Sequence, residues 1–118
     1  MRSTVIAVVD DLFFASKIRA AGQQAGVDIV FVKSIAAAVE KARDESPALI
    51  VADLNARCCD GIELAKALKG DECCSAVPLI GFFSHVQTQL QEAAMVAGFD
   101  QVIPRSAFSK NLAGILAR

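Results

Sequence analysis

Three carboxylates stand where short apolar runs stop. Val5-Ile6-Ala7-Val8-Val9 ends in Asp10-Asp11, and Ala48-Leu49-Ile50-Val51-Ala52 ends in Asp53. In the middle of such a run an acid would carry a desolvation cost, whereas at its end it is placed for chemistry. If the fold brings the three together, like charges in one crevice repel and raise at least one pKa unless a cation neutralises them. An all-oxygen ligand set with room for water suits Mg²⁺, which binds one or two carboxylates plus a substrate phosphate. A simpler use competes for Asp10 or Asp11: either can cap a helix starting near Leu12 by accepting backbone N–H bonds.

The elements that must position these acids can be read from the same pattern. Apolar runs bounded by turn signals read as fully buried strands of a parallel sheet. Five occur: Val5–Val9, Asp28–Val32, the run reaching Asp53, Leu79–Phe83 and Gln101–Ile103. Helical spacing fills the gaps. Leu12, Phe13, Ile18, Ala21 and Ala25 recur at helical spacing before Gly26, and Ser34 caps a helix carrying Ile35, Ala38, Val39 and Ala42 on one face. Gly61–Lys69 is a third helix, and Gln87–Ala97, with Leu90, Ala93, Ala94 and Ala97 inward, is a fourth. Ser106 is placed to cap the last, which runs through Leu116. Regular alternation predicts an α/β fold: a doubly wound, five-stranded parallel sheet in one domain over residues 1–118. In the flavodoxin-like strand order the first and third strands are neighbours at the switch point, where ligands bind beyond the strand ends. Asp10, Asp11 and Asp53 then share one crevice.

Bulk composition narrows the function classes. The 118 residues are 54% hydrophobic but only 6% aromatic, which predicts an aliphatic, alanine-rich core. Net charge is −1 and Lys and Arg are scattered, so the concentrated positive charge needed for nucleic acid is missing. No apolar run nears the roughly 20 residues that span a bilayer, and Met1-Arg2-Ser3-Thr4 lacks the parts of a signal peptide, so a cytoplasmic location is expected. The cysteines form adjacent pairs, Cys58-Cys59 and Cys73-Cys74, at opposite ends of the third helix. That spacing fits neither a redox nor a zinc motif and reads as reduced loop thiols. The turn Val9-Asp10-Asp11-Leu12-Phe13 has no glycine to admit a pyrophosphate, and its acids repel one, which argues against a dinucleotide site.

Asp10-Asp11 after the first strand, Asp53 ending the third, Asp60-Gly61 beyond it, Pro78 before the fourth and Gly98-Phe99-Asp100 before the fifth together resemble the receiver domain of response regulators in two-component signalling. The likeness spans the whole chain. It implies a non-enzymatic signalling module in which Asp10 and Asp11 help bind Mg²⁺, Asp53 is both metal ligand and phosphoacceptor, and Asn55 offers a backbone carbonyl to the metal. It also implies a histidine kinase or phosphotransfer protein as donor and a protein partner downstream, at the fourth helix, fifth strand and fifth helix; a homodimer is a further option. A carboxylate is a weak nucleophile, but phosphoryl transfer asks mainly for positioning and charge neutralisation. A phosphorylation-independent pseudo-receiver that works by protein contacts is the alternative. A small hydrolase fits less well, since no general acid follows Asp53 at short spacing.

The chain departs from that pattern on its second half. The hydroxyl residue expected at the end of the fourth strand falls on Phe83, with Ser84 one place later. Ser84 either supplies the hydroxyl from a turned strand end or caps the next helix. The expected Lys is Arg105, a bidentate fork in place of a compact ammonium, and the proline that follows that Lys is replaced by Ser106. The switch aromatic falls near Val102, and Arg57 stands where proline is favoured. His85, the single histidine, reads as a solvated loop residue.

Overall fold

The computed structural model describes residues 3–84 and 88–117. Its strands are β1 (Ser3–Val8), β2 (Val27–Val32), β3 (Leu49–Asp53), β4 (Leu79–Phe83) and β5 (Gln101–Pro104). They form one parallel sheet in the order β2-β1-β3-β4-β5. β3 is buried along its whole length, from Leu49 to Asp53, as a continuous apolar run in a sheet covered on both faces requires. The order reverses between β1 and β3, where Val8 is in register with Ala52. This is the flavodoxin-like switch point, and the crevice opens beyond the two strand ends.

Helices α1 (Leu12–Ala25), α2 (Ile35–Glu45), α3 (Gly61–Lys69), α4 (Thr88–Ala97), α5 (Arg105–Lys110) and α6 (Leu112–Leu116) cover the two faces. On the face of α1, α5 and α6, Phe14, Phe82 and Phe108 form an aromatic triangle, with Phe82 and Phe108 stacked at 4.5 Å between centroids and Phe14 5.0 Å from Phe82. The opposite face, under α2, α3 and α4, is aliphatic apart from Phe83 and Phe99. Gly81 lets the Phe99 ring pack closely there: a Cβ would stand 3.0 Å from the ring.

Local signals set the helix ends. Asp11, Ser34 and Asp60 each accept N–H bonds at the start of α1, α2 and α3, and Gly26 ends α1 in the left-handed region at φ 72°. Several expectations need correction. Leu12 and Phe13 face solvent, at 74% and 87% exposure, and Phe14, Ile18 and Gly22 form the buried stripe of α1. The cap places Leu12 and Phe13 in the first turn, ahead of the arc that meets the sheet. Ala93 is exposed on α4, where Ala94 is buried. Ser106 does not cap the last helix: Pro104 holds the cap position without a side-chain bond, and Ser106 lies one residue inside. That helix is also divided at Asn111, whose side chain donates to the Ala107 carbonyl. Gln87 and His85 lie outside the described residues.

Candidate functional site

The end of β1 and the start of α1 aim two acids in different directions. Asp11 Oδ1 accepts from the N–H groups of Phe13 (2.9 Å) and Phe14 (3.1 Å), which makes it the helix cap. Its other oxygen, Oδ2, accepts from Arg105 Nη2 at 2.8 Å. The guanidinium beside Asp11, together with the capping bond from Phe14, holds this carboxyl below the usual carboxylate range. Asp10 reaches the opposite wall, where its Oδ2 accepts from the N–H groups of Arg57 (2.9 Å) and Cys58 (3.1 Å) and pins the loop after β3. The sequence makes both acids candidate metal ligands and leaves open which of the two caps α1. The structure makes Asp11 the cap and gives Asp10 a loop-anchoring role that spacing alone did not signal.

Asp53, at the end of β3, is the buried charged residue among those described, at 6% exposure. Its Oδ1 accepts from the Asn55 N–H at 2.9 Å. Burial pushes its carboxyl up from the ordinary value; the Asn55 N–H and the Arg105 charge oppose the rise, and the Asp10 and Asp11 charges add to it. Asn55 has a role that was not foreseen. Its side-chain Oδ1 accepts from the Ser84 N–H at 2.6 Å and ties the β3 loop to the end of β4.

Arg105 opens α5 and reaches back across the crevice. Besides its bond to Asp11, Nη1 donates to Ser84 Oγ at 3.3 Å, and the guanidinium carbon lies 4.1 Å from the centroid of the Phe14 ring. Arg105 and Ser84 are therefore both at the crevice, with the Ser84 hydroxyl on the arginine. Phe83 is not: it is 7% exposed and packed in the aliphatic cluster with Val102 and Phe99. The one-residue step from Phe83 to Ser84 takes the side chain from the aliphatic cluster to the Arg105 side of the sheet, in line with alternation along a strand.

The four cysteines are free, with Cys59 and Cys74 buried. The Cys58 thiol, next to the Asp10 contact, is pushed up to about 12 by burial first and then by its contact with Cys59, which leaves it a thiol and not a metal-binding thiolate. Among the described residues no group of three or more His, Cys, Asp or Glu side chains converges to hold a metal. The donor chemistry nevertheless fits a hard divalent cation. The charges of Asp10 and Asp11 both act on Asp53, Arg105 pairs with Asp11, the candidate ligands are oxygens, and the two neighbouring carboxylates contribute to the raised Asp53 carboxyl.

The family model described as the response regulator receiver domain matches residues 5–116. The chain belongs to that family. Three solved receivers share its fold. The phosphorylated cyanobacterial phytochrome response regulator RcpA is 21% identical with a TM-score of 0.81, over 99% of this chain and 90% of its own. The receiver domain of the sensor histidine kinase PA1611 from Pseudomonas aeruginosa PAO1, solved with a magnesium ion in its active-site cleft, is 20% identical with a TM-score of 0.84, over 98% of this chain and 95% of its own. The chemotaxis response regulator CheY4 of Vibrio cholerae is 18% identical with a TM-score of 0.84, over 98% and 97%. No curated protein sequence matches the chain. As a receiver domain, it is a signalling module of two-component systems, and no helix among its described residues is long and apolar enough to cross a membrane.

Proposed function

We propose that this receiver is a single domain over residues 1–118 that takes a phosphoryl group on Asp53 from a histidine kinase or phosphotransfer protein and passes the signal to a protein partner, with no catalytic turnover of its own. The observation that carries this reading is a buried carboxylate at the switch point, flanked by two further carboxylates and one arginine. An Asp53 oxygen forms the new bond to phosphorus, the phosphorus–nitrogen bond of the donor phosphohistidine breaks, and the imidazole leaves with that electron pair. Mg²⁺, held by Asp10, Asp11, Asp53 and the Asn55 backbone carbonyl, would supply neutralisation of the charge that develops on the phosphoryl oxygens. Arg105 and the Ser84 hydroxyl stand at the same opening and serve as the chain's own donors to those oxygens.

Leu12 and Phe13 form an exposed apolar rim at the crevice, suited to a docking donor protein. Met95 and Val96 on α4, at 47% and 89% exposure, form a second exposed apolar pair. Incubation with acetyl phosphate and Mg²⁺ followed by intact-mass measurement tests the reading. One phosphoryl adduct is expected on the parent chain and none on Asp53→Ala; an adduct that survives the substitution refutes it.

A phosphorylation-independent pseudo-receiver is the second reading. Asp11 is already paired with Arg105, and Phe83 and Val102 are committed to the core, so the arginine and both switch positions have partners without a phosphoryl group. Absence of any adduct on the parent chain favours this reading.

A further inference from the structure

We propose that Arg105 is the resident counter-ion of the acidic crevice, and that it must surrender Asp11 when a divalent cation enters. The inference rests on the metal-binding part of the function proposed above.

Both oxygens of Asp11 already have partners. Oδ1 caps α1 through Phe13 and Phe14, and Oδ2 holds Arg105 Nη2 at 2.8 Å. The capping oxygen is tied to the backbone, so Oδ2 is the oxygen that a cation would use. Two positive charges on one carboxylate oxygen repel strongly in a partly desolvated cleft. Arg105 must therefore move off Oδ2 for Asp11 to face a cation.

The rest of the arginine's environment makes that exchange feasible. Nη1 rests on Ser84 Oγ at 3.3 Å and the guanidinium lies over Phe14 at 4.1 Å, neither contact involving Asp11. Phe14 is itself fixed by Phe82 and Phe108. Released from Asp11, Arg105 keeps a ring face and a hydroxyl at the mouth of the crevice and stays beside Asp53. A planar guanidinium can lie flat on the ring and fork to two oxygens at once, which a lysine ammonium cannot do. Arginine in this place thus lowers the affinity of the crevice for cations while keeping a positive charge within reach of the acceptor.

The test is calorimetric titration of the full chain with Mg²⁺ alone, in the parent, Arg105→Ala and Arg105→Lys forms, alongside NMR of the arginine Nε–H signals. Arg105→Ala is expected to bind Mg²⁺ roughly 1.5- to fivefold more tightly, the size of effect that follows from removing one partly exposed ion pair. Arg105→Lys should fall between it and the parent, and carries the comparison if Arg105→Ala fails to fold by circular dichroism. In the parent, the Arg105 signal should move in step with Mg²⁺ saturation, while that of Arg43, paired with Asp71 away from the crevice, stays still. Equal affinities in all three forms overturn the inference and leave the metal site standing. Tighter binding without movement of the Arg105 signal also overturns it, because a distant charge effect then suffices. No binding in any form overturns both the inference and the metal reading.

Discussion

The β1–β3 side of the crevice and the β4–β5 side put their strand ends to opposite uses. On the first side the chain turns polar as each strand ends, and Asp10, Asp11 and Asp53 are bonded to the amides of Arg57, Cys58, Phe13, Phe14 and Asn55. On the second the chain stays apolar to the last residue, so Phe83 and Val102 belong to the cluster beneath α3 and α4. Ser84 and Arg105 return to the opening, one residue beyond their strands. Polar groups held by fixed amides are ready to receive a charged group. Large apolar groups already sunk in a core have no second place to go without leaving a void. The first side is thus built to load and the second to stay put.

Substitutions on the β4–β5 side should break this contrast most visibly. Phe83→Ala removes a buried aromatic side chain and is expected to cost about 3–5 kcal/mol of stability, read by urea denaturation. A loss below about 1 kcal/mol would mean that Phe83 is not core and is free to act at the opening. Val102→Phe restores an aromatic at the family's switch position but must fit where Val102 is 9% exposed. An overpacking cost of about 1–3 kcal/mol is expected by the same measurement.

On the β1–β3 side the expected effect is smaller and depends on pH. Asp53 has its carboxyl pKa raised on folding, chiefly by burial, so its ionised form is less favourable in the folded chain than in the unfolded one. The penalty is complete above the folded pKa. It is relieved as pH falls through that value and is gone below the unfolded value of about 3.9. Asp53→Asn should therefore melt at a higher temperature than the parent at pH 7, with the gap closing toward pH 4. A gap that widens on acidification would show that the carboxylate is stabilised by its surroundings.

Much of this division was legible in the sequence. Five apolar runs, each closed by a turn signal, define a parallel sheet, and acids at the ends of the first and third runs mark its switch point. Phe83 stands out because it carries no hydroxyl, and Val102 because it has no aromatic ring to rotate. What stayed hidden depended on direction and reach. Helical spacing counts Leu12 and Phe13 among the apolar residues of α1, but the Asp11 cap sets the phase of the helix and buries Phe14 instead. Composition cannot say that Asp10 reaches across to the amides of Arg57 and Cys58, since those donors lie 47 and 48 residues away and are backbone groups. The ring that supports Arg105 left a faint signal, an aromatic three residues after the capping acid, which only the fold turns into a contact.

The amide NMR spectrum with Mg²⁺ and beryllofluoride, a phosphoryl mimic, tests the separation of the two sides most directly. The account predicts large shifts at Asp53, Asn55 and Ser84, with Val102 and the core of α4 unmoved. Shifts that spread through Val102 into α4, or a spectrum in which Asp53 itself does not respond, would contradict it.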